Sequence, residues 1–230
     1  TVALEGKCYE VTTYRIESEY DDCRHPNAVI FTKNLKQDLQ RRDFTINAMA
    51  YHPQEGLKDP FLGQQDLEKK IIKGVGNPKE RFEEDALRML RALRFSAQLG
   101  FSVEKETYLA LQQQKKKIQY ISVERIHQEL EKILQAPYLE KMALLWESGL
   151  LQEIAPTLSE QLKQKGEIII KQLQKADADR MIRWTILLQY MTAKQGELFL
   201  KHMKFDNNTI KTVTTLLQHL KDDILPDDFM

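Results

Sequence analysis

The spacing of hydrophobic and polar positions changes from strand-like to helical after the first third of the chain. Residues 2–5 and 8–16 are rich in β-branched and aromatic side chains and meet at Gly6-Lys7, a pattern that predicts a β-hairpin. Within the second run, Glu10 alternates with its neighbours and is expected on the opposite face of the strand. An acid at such a position is either an ordinary solvent-facing residue or a functional carboxylate on the sheet.

Short helices and turns follow this hairpin. Asn34 is expected to cap a helix over residues 35–41, because its side chain can accept from the first backbone N–H groups. Ile71-Ile72 predicts one further extended segment. The predicted β content is therefore confined to the first third of the chain.

The most regular helical pattern covers residues 81–95. These residues are good helix formers, and apolar side chains recur at a spacing that places them on one face. The apolar positions are Ala86, Leu90, Leu93 and Ala97. Polar side chains three positions apart form a line on the other side: Asp85, Arg88, Arg91 and Arg94. We expect one continuous helix that ends at Gly100, with Glu84 one turn before Arg88.

The chain beyond this helix is predicted to be almost wholly helical, with Ser102 and Ser122 as N-caps. Together the patterns predict an α+β fold in which a partial sheet precedes an all-helical remainder. We place the sheet in residues 1–76, the central helix in residues 77–136 and further helices in residues 137–230.

Composition excludes several classes of protein. The 34 basic and 34 acidic side chains cancel, so any nucleic-acid site must be a local basic surface. No apolar run approaches the roughly 20 residues that span a bilayer, so no membrane partner is expected. Cys8 and Cys23 lack metal-ligand spacing and are expected to be reduced thiols of a cytoplasmic protein.

The polar line on the central helix has two interpretations. A surface helix with many salt bridges is the ordinary one, although arginines at successive i+3 steps repel each other. Alternatively, Asp85 and Arg88 form a hydrogen-bonding edge in which the carboxylate accepts from an exocyclic amine and the guanidinium donates. Cytosine and adenine present an amino donor beside a ring-nitrogen acceptor, whereas uracil and guanine present the reverse. Such a pair would select C and A.

The segment Arg41–Ala48 offers a second candidate site. If it is a strand, alternation places Asp43, Thr45 and Asn47 on one face; a helix fits its composition equally well. The adjacent arginines beside Asp43 form either an ion-pair cluster or a nucleotide site. In a nucleotide site these arginines would suit a triphosphate, because Arg binds phosphate bidentately, and the carboxylate would accept from a ribose hydroxyl.

Taken together, these segments resemble the class II tRNA nucleotidyltransferases, which are the CCA-adding enzymes, and the related bacterial poly(A) polymerases. Six segments follow the order of the family's motifs: a palm strand at residues 9–15, a flexible loop at 21–26, motif B at 41–48, motif C at 59–63, motif D at 84–94 and motif E at 121–125. Their combination over residues 1–125 is specific, whereas residues 137–230 are similar to the family only by helical pattern.

The resemblance implies a partial nucleotidyltransferase palm sheet, the head, at residues 1–76. A helical neck with the nucleotide-reading helix at 77–136 and a helical body at 137–230 would follow it. It also implies transfer of CMP and AMP from CTP and ATP to the 3′ end of tRNA, without a nucleic-acid template and with Mg²⁺ as cofactor.

Carried over residue by residue, the resemblance assigns the incoming nucleotide to motifs B and D. The base would be read by Asp85 and Arg88, with Glu84 as support and with Arg91 and Arg94 assisting. Arg42 would bind the triphosphate, Asp43 would read the ribose 2′-OH with Asn47 beside it, and Glu10 would be a catalytic carboxylate of the palm.

The sequence departs from the family at its start. The family has a Gly-Gly phosphate loop and an Asp-x-Asp metal-binding pair ahead of the palm strand, and neither precedes that strand here. We therefore expect a fragment that is inactive by itself. Two other functions fit the same motifs: an A-adding enzyme or poly(A) polymerase, and a non-catalytic module that binds nucleotide or tRNA.

Overall fold

The computed structural model describes residues 1–17 and 29–222, with short strands first and helices afterwards. The strands of this part are β1 (Val2–Leu4), β2 (Lys7–Tyr9), β3 (Arg15–Glu17), β4 (Val29–Phe31), β5 (Ala50–His52), β6 (Gly56–Lys58), β7 (Ile71–Ile72) and β8 (Ser102–Val103). Its helices are α1 (Leu35–Gln40), α2 (Gly63–Glu68), α3 (Pro78–Glu84), α4 (Leu87–Leu99), α5 (Lys105–Gln114), α6 (Val123–Leu134), α7 (Leu144–Glu147), α8 (Leu150–Ile154), α9 (Pro156–Lys175), α10 (Arg180–Leu188), α11 (Ala193–His202) and α12 (Asn207–Asp222). This arrangement confirms the predicted α+β fold class.

The predicted first hairpin is present but its second strand is shorter than expected. β1 and β2 pair antiparallel, with Val2 opposite Tyr9, and both turn residues, Glu5 and Gly6, have positive φ. Val2, the first residue of β1, lies opposite Tyr9, so the residues after Tyr9 have no partner in β1. The next strand is β3. Glu10 therefore lies just outside a strand.

The strands pair into two-stranded sheets within the described residues. One of these sheets joins a strand that precedes α3 and α4 to a strand that follows them. β7 runs parallel to β8, with Ile71 opposite Ser102. Strand structure thus extends beyond the first third, contrary to the prediction. Since Ser102 is part of this ladder, it does not cap α5; the Glu104 side chain does, by accepting from Thr107 N at 2.7 Å.

The central helix is broken into α3 and α4, where one continuous helix was predicted. Asp85 adopts an extended backbone conformation (φ −143°, ψ 104°), and its Oδ1 accepts from Leu87 N at 3.0 Å. Aspartate is a strong N-capping residue, so its side chain competes with continuation of the helix at this point. The predicted end is confirmed, because Gly100 follows α4 with a φ of 72°.

A large hydrophobic core extends from α3 to α12, and α4 packs along α6 within it. A smaller cluster joins the first part of the chain to α4: Phe44, Ile46 and Ile72 pack against Ala92. This cluster places the segment around Phe44 on the flank of α4. None of the helices in the described ranges is both long and apolar enough to cross a membrane.

Candidate functional site

Asp43 connects the two segments that carry most of the candidate residues. Its Oδ2 lies 2.7 Å from Nε and 2.6 Å from Nη2 of Arg91, which projects from α4. Its Oδ1 accepts from Phe44 N at 2.9 Å and from the Asn47 amide at 3.2 Å. Three predicted nucleotide-binding residues, Asp43, Asn47 and Arg91, are therefore in direct contact.

The local fold explains why Asp43 faces α4. Residues 45–47 form a 3-10 turn and not the strand that was one of the two expected structures. The Thr45 hydroxyl donates to Asp66 at 2.7 Å, on a different side from Asp43 and Asn47. Phe44 is fully buried. The three polar residues consequently do not share one face, because the turn has rotated Thr45 away.

Arg42 lies beside this cluster and is more exposed than its other members. Its Nη1 donates to the Asn47 carbonyl at 3.3 Å, and its Nη2 lies 3.6 Å from Oδ2 of Asp38. With 44% of its side chain exposed, Arg42 has surface available for a ligand.

The carboxylate of Asp38 beside Arg42 has a lowered pKa. Burial acts to raise this pKa, but hydrogen bonds from the Arg41 side chain and the Arg15 backbone N–H, together with the charges of Arg41 and Arg42, keep it below its ordinary value.

Arg88 is buried and uses part of its guanidinium to hold other segments. Nη1 donates to the Arg81 carbonyl at 3.1 Å and to Glu84 at 2.5 Å, and Nη2 donates to the Arg41 carbonyl at 2.7 Å. Glu84 also pairs with Arg81. Among the described residues, the Nε–H of Arg88 has no hydrogen bond. Of the five N–H donors of this guanidinium, two therefore remain for a ligand: the Nε–H and the second N–H of Nη2.

Asp85 sits in the break between α3 and α4, and its carboxylate has two protein partners. Besides the bond from Leu87 N, Oδ2 accepts from Arg125 Nη2 at 2.8 Å. A carboxylate has about four lone-pair sites, so acceptor capacity remains. Asp85 and Arg88 both lie at the start of α4, but their side chains bind different partners and not each other.

Arg94, the last residue of the polar line, is held between α4 and α6. Its Nε lies 2.7 Å from Glu129 Oε2, a contact of opposite charges without good hydrogen-bond alignment. Its guanidinium lies 4.0 Å from the centre of the Phe95 ring. Burial lowers the pKa of Arg94, as does the neighbouring charge of Arg91, while Glu129 and Asp43 oppose that shift. Arg94 thus acts on the cluster through charge and not through a direct bond.

Glu10 is exposed, and within the described ranges it makes no hydrogen bond or ion pair with the residues of the cluster. In the same ranges, no group of three His, Cys, Asp or Glu side chains is placed to hold a metal ion. The predicted flexible loop at residues 21–26 lies outside the described residues, as does Cys23.

Sequence reasoning missed residues that hold the site together, namely Asp38, Arg81, Arg125 and Glu129. Two of them have a local signal: Asp38 is four positions before Arg42, and Arg81 is three before Glu84. Arg125 is 40 positions away from its partner Asp85. Only the folded arrangement of α6 against α4 reveals that pair.

Two protein-family models match this chain. The Poly A polymerase head domain matches residues 1–73, and the probable RNA and SrmB-binding site of polymerase A matches residues 100–162. The break between α3 and α4 lies between the two matched regions.

Similar proteins include the CCA-adding enzyme of Bacillus velezensis, 44% identical over 219 residues, which are 94% of this chain and 55% of that protein. The CCA-adding enzyme of a Geobacillus species is 42% identical over 221 residues, 96% of this chain and 54% of that protein. The chain thus spans about half the length of these curated relatives.

Solved structures are similar to the fold as well. The CCA-adding enzyme of Bacillus stearothermophilus in complex with CTP has a TM-score of 0.78 and 32% identity, covering 98% of this chain and 55% of that one. The Thermotoga maritima CCA-adding enzyme complexed with tRNA has a TM-score of 0.59 and 25% identity, covering 82% and 47%. The motifs, the relatives and the fold agree, and this chain belongs to the family of the CCA-adding tRNA nucleotidyltransferases and poly(A) polymerases.

Proposed function

We propose that this chain is the nucleotide-selecting part of a CCA-adding tRNA nucleotidyltransferase, which adds CMP and AMP from CTP and ATP to the tRNA 3′ end. The observation that carries this proposal is the contact between motifs B and D. Arg91 pairs with Asp43, and Arg88 donates to the Arg41 carbonyl. The groups assigned to the base thus lie next to those assigned to the ribose and triphosphate.

In this proposal the base is selected by Asp85 and Arg88. The remaining lone pairs of Asp85 would accept from the exocyclic amine of C or A, and the Nε–H of Arg88 would donate to the ring acceptor beside it. Glu84 supports the selection, because its hydrogen bond holds the Arg88 guanidinium in place. Uracil and guanine would present a carbonyl to the Asp85 carboxylate and a ring N–H to the Arg88 Nε–H. Two acceptors and two donors would then face each other, which is unfavourable.

The ribose and triphosphate would be bound by motif B. Asp43 has neighbours that donate to it, Asn47 and Arg91, and these keep its carboxylate oriented as an acceptor for a 2′-OH. Arg42 is exposed enough to reach a phosphate, and Arg94 would add positive charge nearby.

Nucleotidyltransferases of this family generally use a divalent metal ion, and we propose Mg²⁺. Mg²⁺ in such sites is held by carboxylates together with substrate phosphates. The described residues do not form such a site by themselves, because no group of three His, Cys, Asp or Glu side chains there is placed to hold a metal ion, around Glu10 or elsewhere. The roles derived for this chain are therefore binding and selection.

We further propose that residues 1–76 form the head, 77–136 the neck and 137–230 the body of this protein. The parallel pair β7–β8 would then link head to neck. The tRNA 3′ end would approach the nucleotide at this junction, and the protein would act in the cytoplasm.

The test is equilibrium binding of CTP, ATP, UTP and GTP to the chain with Mg²⁺ present, by calorimetry. CTP and ATP should bind about tenfold or more tightly than UTP and GTP, the usual worth of a matched base contact. Asp43→Ala should reduce the preference for CTP over dCTP. Asp206→Ala, which removes an acidic side chain from the helical body, should leave both preferences unchanged.

Equal affinity for all four nucleotides would contradict this proposal. The natural protein that contains the chain should also incorporate CMP into tRNA lacking its 3′ end when CTP is the sole nucleotide. If CTP alone gives no CMP incorporation and a second reaction with ATP alone gives AMP incorporation, the protein is instead an A-adding enzyme or poly(A) polymerase.

A further inference from the structure

The ring of Phe95 lies where motifs B and D meet, and none of the roles proposed above uses it. Phe95 is part of α4 and is partly buried against the smaller hydrophobic cluster. Its ring centre lies 5.3 Å from the guanidinium carbon of Arg91 and 4.0 Å from that of Arg94. The ring centre of Phe44 is 5.8 Å away, with the two planes at 82°. One ring thus contacts two arginines of α4 and the residue that follows Asp43.

These contacts close around the Asp43 carboxylate. Arg91 lies 2.7 Å from Oδ2 through Nε and 2.6 Å through Nη2, and the Phe44 N–H donates to Oδ1 at 2.9 Å. Phe95 therefore touches two of the residues that hold this carboxylate. It touches one of them on the guanidinium and the other on the ring, so the contacts run from Phe95 through Arg91, Asp43 and Phe44 and back to Phe95.

Arg91 is the most exposed of the three arginines on α4. Its side chain is 33% exposed, against 10% for Arg88 and 11% for Arg94. Arg94 lies three positions away and repels it, because like charges at this spacing are neighbours on a helix. The face of a phenyl ring attracts a cation through its quadrupole, so the ring of Phe95 acts against that repulsion. It also restricts the directions that the long Arg91 side chain can take.

The orientation of Asp43 matters for ribose recognition. Its side chain is 9% exposed, so a 2′-OH can approach the carboxylate from few directions. If Arg91 moved away, Oδ2 would lose both of its nitrogen partners, and the carboxylate could turn about its terminal torsion, which has a broad preference. Hydrogen bonds weaken steeply when they are misaligned. The hydroxyl would then meet a less well ordered acceptor.

We propose that Phe95 is a positioning residue for the Asp43–Arg91 pair and thereby determines how strongly the chain prefers ribonucleotides to deoxyribonucleotides. This inference rests on the proposed role of Asp43 in reading the ribose 2′-OH. Phe95 does not contact the nucleotide; it acts through Arg91 and Phe44, which hold the carboxylate.

The experiment compares the ratio of the dissociation constants of dCTP and CTP between the unmodified chain and its variants. Phe95→Leu removes the ring and should lower this ratio at least about threefold, within the range of one cation–π contact. The loss should appear as weaker binding of CTP, since dCTP lacks the hydroxyl that Asp43 reads. Phe95→Tyr keeps an aromatic face and should retain most of the ratio. If Phe95→Leu does not fold, Phe95→Met, whose flexible side chain fills the space without a ring, gives the same measurement.

Two controls separate positioning from a general loss of structure. The ratio for UTP and CTP reports Asp85 and Arg88, and it should not change in Phe95→Leu. Phe199→Leu is the matched variant, because Phe199 is also a partly buried ring with an aromatic neighbour, Trp184, at 6.1 Å. It should leave the ratio of dCTP to CTP unchanged even if it lowers the melting temperature. A fall of both ratios in Phe95→Leu would overturn the inference.

A double variant tests whether Phe95 acts through Asp43. In a chain that already carries Asp43→Ala, Phe95→Leu should cause no further loss of the preference for CTP over dCTP. An additive loss would overturn the inference. So would an unchanged ratio in Phe95→Leu where Asp43→Ala lowers it, and in that case the proposed function would stand. If the unmodified chain binds CTP and dCTP equally, both the proposed role of Asp43 and this inference fail.

Discussion

Two glutamates with equal exposure show how the same ion-pair chemistry serves different purposes in this protein. Glu84, at the junction of motifs B and D, and Glu131, on α6, each expose 21% of their side chain. Glu84 pairs with arginines, of which Arg88 continues to the backbone carbonyl of Arg41. Glu131 accepts from Arg180 at 3.0 Å and from the Trp184 indole at 3.1 Å.

The surroundings of the two glutamates differ more than their partners do. Around Glu131 the partners pack on one ring: His127 stacks on Phe205 at 3.9 Å, and Trp184 meets it edge-on at 4.9 Å. Around Glu84 the arginines bind carbonyls of distant segments, and Arg88 retains an unbonded Nε–H. The first arrangement packs against an aromatic ring of the core, whereas the second keeps a donor that a ligand could use. Substitutions in the Glu131 cluster should therefore change stability, and substitutions at the junction of motifs B and D should change nucleotide selection.

The largest effect is expected from Trp184→Ala. Trp184 is 1% exposed, and removal of its ring should lower the free energy of unfolding by about 3–5 kcal/mol. Urea unfolding followed by circular dichroism measures this change. Trp184→Phe, which keeps a ring but loses the bond to Glu131, should be destabilised less. A Trp184→Phe variant that stays folded yet loses its preference for CTP over UTP would break the proposed separation of the two regions.

Arg88→Ala should give an intermediate effect on stability but the largest on selection. It should reduce discrimination of CTP from UTP by about 1–3 kcal/mol, the worth of a bidentate base contact. It should also lower the free energy of unfolding by about 1–3 kcal/mol, because Glu84 and two carbonyls lose a donor. Calorimetric binding and urea unfolding measure the two effects. Arg88→Lys is the control for charge, and unchanged discrimination in Arg88→Ala would refute the base-reading role.

The smallest effect is a pH dependence that belongs to Glu131. Burial acts to raise the pKa of Glu131, but hydrogen bonds from His127, Trp184 and Arg180 lower it below its ordinary value of 4.5. Because the pKa is lower in the folded state, the stabilisation is complete above about pH 4.5 and is lost as the pH falls through the folded value.

Glu131→Gln should therefore show a smaller loss of stability than the unmodified chain when urea unfolding is repeated below pH 4.5. Glu197→Gln is the matched control, since Glu197 pairs with Lys201 on the surface and should change stability by only about 0.2–1 kcal/mol. An equal pH slope in Glu131→Gln and the unmodified chain would contradict the assignment.

Local pattern predicted elements where neighbouring residues decide the structure. The Asn34 cap and the end of α4 at Gly100 are examples, because a cap or a positive φ depends on only a few residues. Pattern failed where a distant partner intervened. Ser102 looks like a helix cap but pairs with β7, and the strand pattern after Tyr9 lacks a partner strand.

The candidate site divides in the same way. Its residue types and spacing in motifs B and D are visible in the sequence, and so is the resemblance that assigns them roles. Their partners are not visible: Arg91 to Asp43 spans 48 positions, and Arg125 to Asp85 spans 40.

The sequence by itself determined the α+β fold class, the family and the set of residues proposed to meet a nucleotide, because these follow from periodicity and from motif order. The tertiary structure decided which donors and acceptors of that set are already bound by the protein. In the folded chain the central helix is interrupted at Asp85, and Arg125 of α6 binds the Asp85 carboxylate. Arg88 donates to the Arg41 carbonyl. Such contacts depend on the packing of α4 and α6 in one core, which no local stretch of sequence encodes.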